Sequence, residues 1–221
     1  MASLGPVITL MNSDNTSAVD TWNVGTVQAQ TPSAPLIVNI WNNKGNNTED
    51  HSDLKECTLS VLDANGNTAV GDVARDKWVQ CKMNGESDSQ YIAIGGSDPN
   101  TVTALVKAND ASVEAGTIKG TRNDGVANNS TGNVATVYFR INAPINSIPG
   151  TKTFKIRLTG YYTYYIPQHL NVLGLICVLN KKKMSGPKST HFPTSAVQCY
   201  LITPYLRIYS SAIAFCLSSE S

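Results

Sequence analysis

The chain has 221 residues, of which 15% are charged, and a formal net charge of +1. That length allows one large domain, or one domain with an appendage, and a core that needs neither disulfides nor metal. So small a basic excess argues against nucleic acid as a partner, because that binding rests on many phosphate contacts.

The opening MASLGPVITLMNSDN has no basic n-region and no long apolar run, so no secretory signal is read and synthesis in the cytoplasm is expected. No stretch reaches the roughly 18 apolar residues of a spanning helix, and no membrane partner is expected. The longest apolar run, VLGLICVL at 172–179, is far too short.

The first candidate strand is VITLM (7–11), closed by NSDN. NVGTVQAQ (23–30) and LIVNIW (36–41) follow, parted by TPSAP. After NNKGNNTED comes CTLSVL (57–62), then DANGN, whose Asn-Gly pair is a strong hairpin signal. WVQCK (78–82), QYIAI (90–94) and TVTALVK (101–107) are set off by NGESDS, GGSDPN and, further on, NDGVANNSTGN. Gly, Asn and Asp recur in these turns because they accept positive φ at little cost.

The clearest alternation comes last. VATVYFRI (134–141) puts Ala135, Val137, Phe139 and Ile141 on one side. KTFKIRL (152–158) does the same with Phe154, Ile156 and Leu158. Period two marks a strand with one face on a core and the other in water. Pro144, Pro149 and Gly150 fix the intervening NAPINSIPGT as a loop. No segment sustains helical apolar spacing. The expected fold is all-β, an antiparallel β-sandwich of immunoglobulin-like or jelly-roll-like type over residues 1–162.

Residues 163–221 read as an atypical C-terminal extension. Seven of nine tyrosines lie from Tyr161 onward, but only two of sixteen glycines and one acidic residue, Glu220. AVQCYLITPYLRIYSSAIAFCLSS is apolar without settled periodicity, so this stretch disagrees with itself across levels. Three readings stay open: further strands of the sandwich, an apolar segment buried on a partner, or non-native and disordered sequence.

Five cysteines, Cys57, Cys81, Cys177, Cys199 and Cys216, are an odd number without CxxC spacing, which is neither a disulfide framework nor a zinc site. Reduced, buried thiols are expected, with a Cys57–Cys81 bridge across neighbouring strands as the alternative. His51, His169 and His191 are scattered, and neither GxSxG nor HExxH occurs. Glu49, Asp50 and Asp53 share one loop, where carboxylates usually form a solvated face. No catalytic residue is assigned, and the chain is expected not to be an enzyme.

Two ligand constellations are candidates. Asp63, Asn65 and Asn67 present alternating oxygens for calcium, with Asp72 and Asp76 as further donors if the loops converge; a hairpin turn explains the first three equally. Trp22, Trp41 and Trp78 form a possible sugar-stacking platform, weighed against closing a core edge. No other cofactor is expected.

On WNVGTVQAQTPSAPLIVNIWNNKG, VGDVARDKWVQCK and NVATVYFRINAPINSIPGTKTFKIRLTGYYT, the chain resembles β-sandwich virion structural proteins of tailed bacteriophages and prophages of Gram-positive hosts, of accessory tail, baseplate or head-surface type. The resemblance spans residues 1–162. It implies a non-enzymatic subunit of a symmetric particle, assembled into a virion, with other virion proteins and copies of itself as partners. The alternative function is a carbohydrate- or cell-surface-binding module, calcium-assisted, with a cell-surface glycan as partner.

Overall fold

The alternation of the last two predicted strands is that of two strands on facing sheets. The computed structural model describes residues 4–68, 70–163, 207–208 and 213–218. Its strands are β1 (Ile8–Met11), β2 (Leu36–Asn42), β3 (Lys55–Asp63), β4 (Val79–Met83), β5 (Ile92–Ala93), β6 (Ala104–Leu105), β7 (Val134–Ile141), β8 (Thr153–Thr163), β9 (Arg207–Ile208) and β10 (Ile213–Ser218). One sheet has the order β1-β2-β7-β4-β5; the other runs β10-β8-β3-β6, with β9 beside the far end of β8. Every strand pair is antiparallel, and the fold is an all-β sandwich. Among the described residues no helix is long and apolar enough to cross a membrane.

The core lies between the sheets. Val38 and Ile40 of β2, Val79, Cys81 and Met83 of β4, and Ala135, Val137, Phe139 and Ile141 of β7 face Cys57, Leu59 and Val61 of β3 and Phe154, Ile156 and Leu158 of β8. Full burial of each large apolar side chain contributes about 1.5–3 kcal/mol. A smaller cluster, Met11, Trp41 and Val134, lies apart from this core.

Buried asparagines tie one end of the sandwich together. The Asn42 amide donates to Ser52 O (3.0 Å) and Ile118 O (3.1 Å), and its oxygen accepts from Val7 N (3.1 Å). Asn43 donates to Glu49 O and Gly120 O, both at 2.9 Å. Asn133 donates to Lys119 O (2.9 Å) and Thr121 O (2.7 Å), and Asn123 donates to Asn43 O (2.7 Å). Side-chain amides here add donors to loop carbonyls, two of which, Ile118 O and Gly120 O, also accept from Leu54 N and His51 N, so the buried polar groups are paired. At Gly120 a Cβ would stand 2.4 Å from His51 O, so the two loops approach this closely only around glycine.

Several expectations change in space. NVGTVQAQ joins neither sheet: Gly25 (φ 71°) and Gln30 (φ 61°) interrupt the extended run, although Val24 and Val27 still pack on the core. QYIAI and TVTALVK shrink to the two-residue β5 and β6, joined through a Gly95–Val102 bridge. DANGN turns but makes no β3–β4 hairpin. The chain leaves β3 through the one-turn helix α1 (Asp72–Arg75) and crosses to the other sheet. Cys57 and Cys81 consequently lie on opposite sheets as buried free thiols, which corrects the notion of a bridge between neighbouring strands.

The expectation for 163–221 falls largely outside the described residues, as do His169, His191, Cys177 and Cys199. Within that stretch the β10 backbone pairs with β8 in the register Ile213↔Leu158 through Ser218↔Thr153.

Candidate functional site

The three tryptophans are interior residues. Trp22, Trp41 and Trp78 are 7%, 0% and 7% exposed. Trp22 meets Phe154 edge-on, with centroids 6.3 Å apart at 85°. Trp41 belongs to the smaller cluster, and its Nε1 donates to Asn15 Oδ1 at 2.7 Å. Of the two readings weighed for them, core packing is the one the structure has and the stacking platform is not formed: the indoles are split between two clusters, with their areas committed to packing.

The calcium candidates are committed to a turn. Asp63 Oδ1 accepts from Asn67 N at 2.7 Å and Oδ2 from Asn67 Nδ2 at 3.3 Å, while Asp63 N donates to Asn67 O. The Asn67 backbone bond holds the Asp63 carboxyl below its ordinary value. Asn65 sits exposed in the turn. Asp72 and Asp76 both pair with Arg75, at 3.2 and 2.8 Å, so basic groups occupy the oxygens that would have completed a cage. Of the other polar candidates, His51 Nδ1 bonds to Gly5 O at 2.6 Å and its Nε2 lies 3.4 Å from Asn46 Nδ2. Asp50 accepts from Arg122 N, and Asp53 from Gly120 N. These side chains hold loops together.

A different set of residues converges on the outer face of the first sheet. The alternation that turns Cys81 and Phe139 inward leaves Gln80, Lys82, Tyr138 and Arg140 on the other side, with Gln80 opposite Arg140 and Lys82 opposite Tyr138. The Arg140 guanidinium lies over Tyr91, its carbon 3.7 Å from the ring centroid, while Nε donates to Gln80 Oε1 at 2.7 Å. Lys82 Nζ sits 5.2 Å from the Tyr91 centroid and 5.1 Å from that of Tyr138, and donates to Asp88 Oδ1 at 2.6 Å. This bond to Asp88 pushes the Lys82 ammonium up, and the same bond holds the Asp88 carboxyl down. Glu86 extends the array to Lys107 at 2.6 Å. The result is a half-exposed, shallow surface of tyrosine, arginine and lysine whose rotamers are already fixed by one another. Tyr and Arg are enriched where protein partners bind.

The second feature is concave. A groove of about 400 Å³ opens between the 24–27 segment and the β7–β8 loop, lined by Val27, Trp78, Ile141, Ile148, Lys152 and Phe154 among others. At its edge Lys152 Nζ meets Asp72 Oδ2 at 2.6 Å and lies 6.0 Å from the Trp78 ring centroid. The Lys152 bond keeps the Asp72 carboxyl low. The Trp78 indole N–H is buried and finds no acceptor among the described residues.

The sequence reading missed both features. The polar sides of WVQCK and VATVYFRI were visible in the alternation, but the β4–β7 register that stacks Lys82 on Tyr138 was not.

No family model and no curated protein matches the chain. Among solved structures it is similar to a family 123 glycoside hydrolase from Clostridium perfringens, described for hydrolysis of glycolipid glycans, at 13% identity and a TM-score of 0.34. The match covers 71% of this chain but 24% of that one, so the chain spans about a quarter of its length. Likeness at that level carries no argument about fold or chemistry.

Proposed function

We propose that the chain is a non-enzymatic structural subunit that builds or decorates a phage or prophage particle, made in the host cytoplasm and acting through protein–protein assembly. The observation that carries this reading is the Tyr91–Arg140–Lys82–Tyr138 array on an open sheet face. Its side chains are already ordered by stacking and hydrogen bonds, so a partner landing there loses little further rotamer entropy. The alternative, a glycan-binding module, loses the indole platform on which it rested, because the three tryptophans are buried.

Light scattering of the full chain across a concentration series tests the reading. Self-association that weakens in Arg140→Ala and Tyr138→Ser supports it. A chain that stays monomeric at high concentration, or association indifferent to both variants, overturns self-assembly through this face and leaves only decoration of another protein's lattice.

A further inference from the structure

Arg140 is held on two sides and open on the remaining one. Its Nε donates to Gln80 Oε1 at 2.7 Å, and its guanidinium carbon stands 3.7 Å from the Tyr91 centroid. The other cations of the array have carboxylates: Lys82 meets Asp88 and Lys107 meets Glu86, each at 2.6 Å. Among the described residues no carboxylate pairs with Arg140, and its terminal nitrogens make no hydrogen bond. The array therefore carries an unmatched positive charge on a fork whose orientation is already set. A planar guanidinium fork matches a carboxylate through two parallel hydrogen bonds.

The ring beneath that fork stands beside an unpaired sheet edge. Tyr91 leads directly into β5, the last strand of its sheet, and no strand pairs with the outer edge of β5 among the described residues. Ile94 N donates toward β4, to Val79 O, whereas Gly95 N donates the opposite way, to Val102 O. Main-chain N–H groups alternate sides along an extended strand, so that of Ala93 points away from β4, to the unpaired edge. Side chains alternate between faces as well, and Ile92, 45% exposed, lies on the face opposite Tyr91. An open edge is matched by the main chain of another strand, which a saccharide lacks.

We propose that the β5 edge accepts an extended acidic segment of a partner polypeptide as an added strand, with a Glu or Asp carboxylate on the Arg140 fork and the flanking apolar residues against Ile92. The parts of the site select one ligand. The edge calls for main chain, the fork for a single negative charge on the Tyr91 face, and period two places apolar residues on the other face. The inference rests on the assembly reading and deepens it by naming what the partner presents to this face.

The test titrates the full 15N-labelled chain with the peptide acetyl-Thr-Val-Glu-Val-Thr-amide. The amide signal of Ala93 and the Nε signal of Arg140 move together and saturate. A peptide with Gln in place of Glu binds about tenfold more weakly, equivalent to about 1.4 kcal/mol. Methylating alternate peptide nitrogens blocks one edge of an extended strand, so one methylated set loses binding and the other keeps it. These changes are made in the probe, so the outcome does not depend on a variant folding. Arg140→Glu reverses the preference and takes a peptide with Lys in place of Glu, which an arginine of purely structural value would not do. Equal binding of the Glu and Gln peptides, equal binding of the two methylated sets, or a response to glucuronic acid as strong as to the peptide overturns the proposal. Light scattering on the same samples keeps the two readings apart. Peptide binding by a chain that stays monomeric supports the added strand and limits assembly to decoration of another protein's lattice. Self-association that weakens in Arg140→Ala without any peptide binding retains the assembly reading and overturns the added strand.

Discussion

The guanidinium of Arg140 rests on the ring of Tyr91 with 3.7 Å between its carbon and the centroid, and Gln80 fixes its rotation through Nε. A planar, delocalised cation can lie flat on a ring while its edge hydrogen-bonds to Gln80; a lysine ammonium has no flat face to lay on Tyr91. Arg140→Lys is therefore expected to weaken self-association nearly as much as Arg140→Ala, by about tenfold or more if one contact of ~1.4 kcal/mol is lost. The melting temperature should move little, because stacking at a half-exposed site is worth about 0.5–1 kcal/mol. Sedimentation velocity and thermal denaturation on the same samples check both halves of this expectation.

Trp41 shows the cost of breaking a satisfied indole. Its Nε1 bond to Asn15 closes the 12–17 loop over the smaller cluster, and Asn39 adds donations to Asn12 O and Ser13 O. Trp41→Phe should cost about 0.5–1.5 kcal/mol, the net worth of one hydrogen bond, because Asn15 Oδ1 keeps a second donor in Asn39 Nδ2 at 3.1 Å. Trp41→Ala should cost about 3–5 kcal/mol through the cavity it opens. Urea unfolding monitored by circular dichroism distinguishes the two; a Trp41→Phe chain as stable as the unsubstituted one would show that the hydrogen bond contributes nothing.

Burial pushes the thiols of Cys57 and Cys81 up to about 12, so neither forms the reactive thiolate at neutral pH. Both should resist Ellman's reagent in the native chain and react only after denaturant is added. Mass spectrometry of the modified peptides reads each site. Rapid native labelling of either would mean that its sheet opens readily.

Acid should destabilise the fold in a defined direction. Hydrogen bonds and cations hold the carboxyls of Asp63, Asp72 and Asp88 below the ordinary 3.8. The folded state then binds fewer protons than the unfolded one as pH falls past that value. Their stabilising contribution is complete above the ordinary carboxylate range and is lost as pH drops through the lowered folded values. Asp72→Asn should flatten the acid limb of a stability–pH curve. A curve that coincides with the unsubstituted chain above the ordinary carboxylate range, where the contribution is complete, would show that the Lys152 pair adds nothing.

The sandwich was legible in the sequence wherever burial is one-sided. In VATVYFRI and KTFKIRL every second residue enters the core, so period two survives intact. NVGTVQAQ failed because its valines pack on the core from a segment outside both sheets: hydrophobic content alone does not distinguish a ladder strand from a covering loop. The Asn-Gly of DANGN fixed a turn but could not say which sheet the chain would enter next. The strand-end positions of the tryptophans pointed to closing a core edge, but only the three-dimensional packing shows their rings enclosed rather than offered as a stacking platform. The Arg140–Tyr91 stack joins residues nearly fifty positions apart, through a register that no local pattern encodes.

The strand order has a consequence for how this chain acquires its structure. β2 pairs with β7, and β3 with β8, so the central ladders of both sheets join segments about a hundred residues apart. Such non-local topology places folding in the slow, millisecond-to-second regime of β proteins. During synthesis the first hundred residues hold neither central partner. β2 and β3 must wait without these partners until β7 and then β8 have left the ribosome, and in that interval the nascent chain is most exposed to aggregation and most dependent on chaperones.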